Sequence, residues 1–163
     1  MRDLYRCSTL SILSSIRRNG RNKVAKGAKA IAKNAKRSMT NEELDKLSNK
    51  IIGIAIRVHK KLGPGFVEKI YEKALAYEFQ KEGTSFDQQK VIRVKYEDLE
   101  LGDQRIDFMV EDALILEVKV ASKIIEIHQD QLISYLKASN KKLGLILNFG
   151  KKRLEIKRLV NKF

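Results

Sequence analysis

The stretch "RIDFMVEDALILEVKV", residues 105–120, fixes more about the fold than any other part of the chain. Two runs rich in branched and aromatic residues flank Glu111-Asp112-Ala113, a pattern that reads as two strands joined by a tight turn. If those three residues are the turn, the register follows by symmetry: Val110 faces Leu114, Phe108 faces Leu116, and Asp107 faces Glu117. Alternation then puts Ile106, Phe108, Val110, Leu114, Leu116, Val118 and Val120 on one apolar face. Asp107, Met109, Ile115, Glu117 and Lys119 share the other. A one-residue slip would bury both acids and the lysine, so the pattern enforces its own register.

Two carboxylates directly opposite one another destabilise a strand pair unless positive charge lies between or beside them. A hard divalent cation would serve, since Mg²⁺ takes one or two protein carboxylates, retains water and completes its shell from substrate phosphate. Lys119, on the same side as Glu117, would then orient or deprotonate a water and stabilise developing negative charge. Spacing alone is equally served by Lys119 simply neutralising the pair on an open sheet face.

Around this hairpin the period of the apolar residues changes. Thr40-Asn41-Glu42-Glu43 has the spacing of a capping box ahead of a stripe at Leu44, Leu47, Ile51, Ile54, Ala55, Val58 and Leu62. Gly63-Pro64-Gly65 ends that helix. A second helix is expected from about Phe66 to Glu82, with Val67, Ile70, Tyr71, Ala74, Leu75, Glu78 and Phe79 near one side and Gly83 as terminator. After Gly83 the period becomes two: "KVIRVKYED" reads as a strand, "LELGD" as a turn, then the hairpin. "SKIIEIHQDQLISYLKAS" returns to helical spacing, and "KLGLILNF" and "RLEIKRLV" read as strands. The order α-α-β-β-β-α-β-β predicts an α/β fold with a mixed sheet flanked by helices.

Charge divides the chain in two. Residues 1–40 hold 11 Lys or Arg and one acid, net +10, against +4 for residues 41–163. The first segment, poor in aromatics and rich in Lys, Arg, Ser and Ala, is expected to be a basic low-complexity extension, flexible or weakly helical; residues 41–163 are expected to form the domain. Such basicity suits nucleic acid or an anionic surface, though a solvated tail explains it equally. An Arg- and Ser-rich, acid-poor start also has the flavour of an organellar transit peptide. No uncharged apolar run approaches a membrane span, and the single cysteine, Cys7, excludes an intrachain disulfide framework or a cysteine cluster for zinc or iron-sulfur. A cytoplasmic protein with no membrane partner is the expectation.

Two further stretches bear on the carboxylates. In "EKIYEKAL", Glu68 follows the Gly-Pro-Gly turn and Tyr71 lies a turn further on; in "HQDQLISYL", His128, Gln131 and Tyr135 fall on one side of a helix. His128 is more readily a surface or supporting group than a ligand, and a Tyr at helical spacing is commonly core. Glu68, Lys119, Gln131 and Tyr135 nevertheless all lie on elements expected to flank Asp107 and Glu117.

An acid on a leading helix, Asp in the second strand, Glu-x-Lys in the third and Gln-x-x-x-Tyr on the next helix resembles the PD-(D/E)xK nuclease superfamily, with its restriction-endonuclease-like core. "GFVEKIY", with "QLISYL" and "LGLILNFG", looks like the narrower prokaryotic GxxExxY group. The resemblance spans about residues 44–160. It implies that Asp107, Glu117 and the backbone carbonyl of Val118 bind Mg²⁺ or Mn²⁺, that Lys119 assists the water nucleophile, that Glu68 holds or orients the metal, and that Gln131 and Tyr135 shape the substrate side. Ile106 stands where the signature has proline, a substitution the superfamily widely tolerates.

The leading reading is thus a metal-dependent nuclease acting on DNA. The alternative is a non-catalytic nucleic-acid-binding or protein-interaction module on the same fold, since fold does not fix activity. A small-molecule or redox enzyme finds no support, because no glycine-rich phosphate loop follows a strand. Homo-oligomerisation through a helical face is compatible with the sequence but not decided by it. Deleting residues 1–40 is expected to lower affinity for polyanions with the fold intact; an unchanged salt dependence of binding after deletion would reject that role for the extension.

Overall fold

The structure is a computed structural model that describes residues 38–161. The basic extension up to Arg37 lies outside the described residues. Thr40 opens the first helix as its spacing implies: its Oγ1 accepts the Glu43 N–H at 3.2 Å, and the Glu43 carboxylate accepts the Thr40 N–H at 2.8 Å. Helix α1 (Asn41–Leu62) buries Leu44, Leu47, Ile51, Ile54, Ala55 and Val58 and ends at Gly63. Helix α2 (Glu68–Lys81) starts two residues later than expected, because Phe66 and Val67 stay outside it. It buries only the stripe Tyr71, Leu75, Glu78 and Phe79. Ile70 is exposed, since a helix lying on one face of a sheet covers little more than a single stripe, and Val67, ahead of the helix, is exposed too.

Five strands follow: β1 (Phe86–Tyr96), β2 (Leu99–Val110), β3 (Leu114–Lys119), β4 (Leu143–Asn148) and β5 (Glu155–Val160), with helix α3 (Glu126–Ser139) between β3 and β4. They form one mixed sheet in the order β1-β2-β3-β4-β5, antiparallel except for β3 beside β4. The β2–β3 register is the symmetric one: Val110 pairs with Leu114 and Phe108 with Leu116. One boundary differs from expectation. "LELGD" lies inside β2, and the β1–β2 turn is Glu97-Asp98, where Glu97 takes a left-handed φ of 52°. The glycine of that stretch, Gly102, sits where the β1–β2 register shifts rather than at a turn, a use glycine serves by its backbone freedom.

The sheet is covered on both faces. On one, α1 and α2 pack over Phe108, Val110, Leu114, Leu116, Val118, Leu143, Leu145 and Leu147. On the other, Leu132, Tyr135 and Leu136 of α3 pack against Ile92, Met109, Ile115 and Ile146. Burial on both sides explains why "LILEVK" and "LGLILN" are nearly continuous apolar runs. Ile106 corrects the face assignment: it joins the α3-side cluster rather than that of Phe108. Gln89 has a left-handed φ of 53°, and the β1–β2 ladder passes from Gln88–Phe108 to Lys90–Ile106 without pairing Gln89 and Asp107. Strict alternation fails at that break.

Among the described residues no helix is long and apolar enough to cross a membrane. Phe108 is fully buried and meets Phe79 and Phe86 edge-on at 5.6 and 5.7 Å. Phe108→Ala should therefore lower stability by about 3–5 kcal/mol in chemical denaturation; a loss below about 1 kcal/mol would mean that this aromatic cluster does not anchor the sheet.

Candidate functional site

The site lies where β2 parts from β3. Strand pairing stops at Phe108–Leu116, and beyond that point the Asp107 side chain replaces the ladder: its Oδ2 accepts the Val118 N–H at 2.8 Å. The Asp107 N–H approaches Glu117 Oε1 at a long 3.5 Å. Glu117, almost fully buried, is paired on its other oxygen with Lys119 Nζ at 3.3 Å. Tyr135 of α3 closes the group. Its hydroxyl accepts Gln131 Nε2 at 2.8 Å, and burial, then the charge of Glu117, push its pKa up.

These neighbours control the protons. Burial foremost, then the adjacent Asp107 carboxylate, push Glu117 up to about 7, with Lys119 pulling the other way. Asp107 is also raised, mainly by burial and further by Glu72, although the Val118 N–H holds it down. A pair of carboxylates in this state lacks positive charge, and a single lysine supplies only part of it.

Glu68 reaches the site by another route. Gly65, at a φ of +113° that favours glycine, turns the chain into α2. Tyr71, fully buried, donates its hydroxyl to Gly63 O at 2.7 Å, accepts the Phe66 N–H at 3.3 Å and stacks on Phe149 at 4.4 Å. The loop so fixed presents Glu68 to the end of β3, where its Oε1 accepts the Val120 N–H at 3.1 Å. Of the residues singled out by sequence, Asp107, Glu117, Val118, Lys119, Gln131 and Tyr135 are therefore brought together, and Glu68 is tied one residue past Lys119. His128 serves the start of α3, its Nδ1 accepting the Ile125 N–H at 3.4 Å.

Sequence reasoning missed four participants. Gln89, at the ladder break, donates Nε2 to Glu72 at 3.0 Å and to Asp107 at 3.3 Å, so it bridges α2 to the site. Glu72 follows Glu68 by one helical turn, the only signal that could have flagged it. Asn148, fully buried, accepts the Ala121 and Gly150 N–H groups on Oδ1 and donates Nδ2 to Ala121 O and Glu155. Glu155 also accepts the Ile124 N–H at 3.2 Å. Despite partial desolvation, these bonds and Lys151 keep its carboxyl below the ordinary range. Asn148 and Glu155 together hold the loop between β3 and α3, and nothing local in the sequence marks such long-range partners.

No group of three or more His, Cys, Asp or Glu among the described residues is disposed to hold a metal. The donor chemistry nevertheless fits a hard cation, because two underneutralised carboxylates match an ion that takes few protein ligands and fills the remainder with water and substrate oxygen. A family model described as PD-(D/E)XK nuclease superfamily matches residues 45–159. A solved structure titled "Crystal structure of SSO0001" is similar at 15% identity and a TM-score of 0.47, over 58% of this chain; the chain spans 50% of that one. No curated protein matches.

A carboxyl whose pKa is raised by folding, from 4.5 to about 7 in Glu117, contributes stability that is complete below about 4.5 and is lost as pH rises through about 7. In metal-free buffer Glu117→Gln should thus be more stable than the native chain by about 1–3 kcal/mol at pH 8, the gap closing near pH 4. Thermal unfolding across that range checks it, and a gap that widens towards acid would reverse the assignment.

Proposed function

The chain belongs to the PD-(D/E)XK nuclease superfamily, and from that premise we propose that it hydrolyses phosphodiester bonds in nucleic acid, DNA foremost, at the Asp107–Glu117–Lys119 group. The observation that carries this reading is the break in the β2–β3 ladder, which leaves two raised carboxylates and a lysine at one buried point. A purely structural strand end would be satisfied by apolar residues and a continued ladder.

Nucleases of this superfamily generally use divalent metals. Asp107, Glu117 and the Val118 carbonyl would hold Mg²⁺ or Mn²⁺. When bound, such an ion lowers the pKa of water and offsets charge on the phosphate. The chain's own residues do the rest. Asp107 is held in orientation by the Val118 N–H and by Gln89. Lys119, anchored on Glu117, orients the attacking water and places its positive charge where the pentavalent phosphate gathers negative charge. Gln131 and Tyr135 face the substrate as a hydrogen-bonded pair. Glu68 keeps Val120 in place at the end of β3 and would be a further holder of the cation.

Within the superfamily we assign the chain to the GxxExxY group. Gly65 permits the turn, Glu68 fastens β3 and Tyr71 locks the turn to the core, so each motif position has its own physical role, and this supports the assignment. Residues 1–40 would add non-specific affinity for the backbone of the substrate.

Labelled single- and double-stranded DNA and RNA incubated with Mg²⁺, Mn²⁺ or EDTA test the proposal. Cleavage should require the metal and fall by about 10²-fold or more in both Glu117→Ala and Lys119→Ala. Absence of cleavage under every condition, with DNA binding retained by Glu117→Ala, would instead identify a non-catalytic binding module.

A further inference from the structure

We propose that the turn Lys151-Lys152-Arg153 between β4 and β5 is a phosphate-backbone clamp that seats the nucleic-acid strand beside the carboxylate site. The proposal rests on the reading that nucleic acid is the substrate and deepens it by giving the strand a path.

The turn begins next to Lys119. Asn148 pairs with Lys119 across the parallel β3–β4 ladder, and the Phe149 N–H donates to Lys119 O at 2.8 Å. Lys151 follows three residues after Asn148, so its Cα lies within about 10 Å of that strand end. A strand seated at Lys119 and following this edge therefore brings its neighbouring phosphates within reach of the turn.

Its charge is open to solvent and mostly uncompensated. Lys151, Lys152 and Arg153 are consecutive and exposed. They line a shallow concavity with Leu154 and Glu155. Lys152 and Arg153 have no acidic partner among the described residues, and Lys151 meets Glu155 only at 3.7 Å. Some cations elsewhere are offset, as Arg93 and Lys95 are by Glu100, Lys90 by Asp87, and Arg57 and Lys61 by Glu78; what distinguishes the turn is three consecutive exposed cations lining one concavity beside the strand end of Lys119. Uncompensated positive charge at a concave edge is what a phosphate backbone neutralises, releasing its counterions.

The backbone that carries these cations is fixed at both ends. A Cβ at Gly150 would meet Ala121 O at 2.6 Å and Ala121 N at 2.7 Å, so the start of the turn is pressed against the loop that follows Lys119. Asn148 bonds both Ala121 and Gly150, and Glu155 ties the far end of the turn to Ile124. The three cations are therefore carried on backbone that is already ordered, and binding need not spend free energy arranging it.

The test measures binding of a fluorescein-labelled DNA duplex and of its single strand to the full chain in EDTA, across a range of salt. Lys152→Ala/Arg153→Ala removes side chains with no acidic partner among the described residues, so folding is preserved; Lys151→Ala can be added. The double variant should bind about ten-fold more weakly near 0.1 M salt, with the log–log salt slope reduced by about 1.5–2, and Lys152→Arg/Arg153→Lys should restore both. Unchanged affinity and slope overturn the clamp. So does a loss confined to anionic phosphatidylserine vesicles, which would make the turn a lipid contact. The two readings separate cleanly: metal-dependent cleavage with an unchanged slope removes the clamp and keeps the nuclease, whereas a reduced slope without cleavage keeps the clamp and removes the nuclease.

Discussion

Where β2 leaves β3, the Val118 N–H loses its place in the antiparallel ladder at a point buried from water, and an orphaned donor there would cost as much as a lost hydrogen bond. Asp107 supplies the acceptor. That one bond puts a carboxylate beside Glu117, which in turn requires Lys119, and it leaves Gln89 unpaired in the ladder and available to bridge towards α2. The same break moves Ile106 to the opposite face from the one simple alternation assigns. A defect in strand pairing and the polar group within it are thus one feature, and the sheet keeps its order around it because β3 continues its full ladder with β4.

The α/β order and the β2–β3 register were legible because both rest on local periodicity and on the symmetry of a short turn. Phe108 opposite Leu116 required nothing beyond counting out from Glu111-Asp112-Ala113. Asp107, Glu117 and Lys119 were legible for the same reason: charge in an apolar alternation is conspicuous. What escaped depended on contacts between segments far apart in the chain. Gln89 reaches Asp107 across 18 residues and Asn148 reaches Ala121 across 27, and neither looks unusual in its own neighbourhood. "LELGD" reads as a turn because a glycine beside acidic residues usually marks one, whereas a long exposed hairpin can carry both inside a strand.

Stability and the polar site draw on separate parts of the molecule. The two apolar clusters on either side of the sheet carry the fold, and Asp107 stands where pairing between β2 and β3 ends. Glu117 is the exception, a buried acid in the central strand whose charged form is disfavoured by the surroundings. Local conflict of this kind inside an otherwise consistent sequence is expected where a protein retains chemistry at some expense in stability.

The interruptions in β1 bear on the protein's behaviour in concentrated solution. As the first strand in the sheet it has one side without a neighbouring strand among the described residues, and such a side can template pairing with any extended segment that arrives. Gln89, with its left-handed backbone, interrupts the regular run of that side. Lys90, Arg93 and Lys95 place charge along it. An incoming strand would meet a break at Gln89 and charge beyond it, so the irregularity that shapes the site at Asp107 also makes this border of the sheet a poorer template for a further strand.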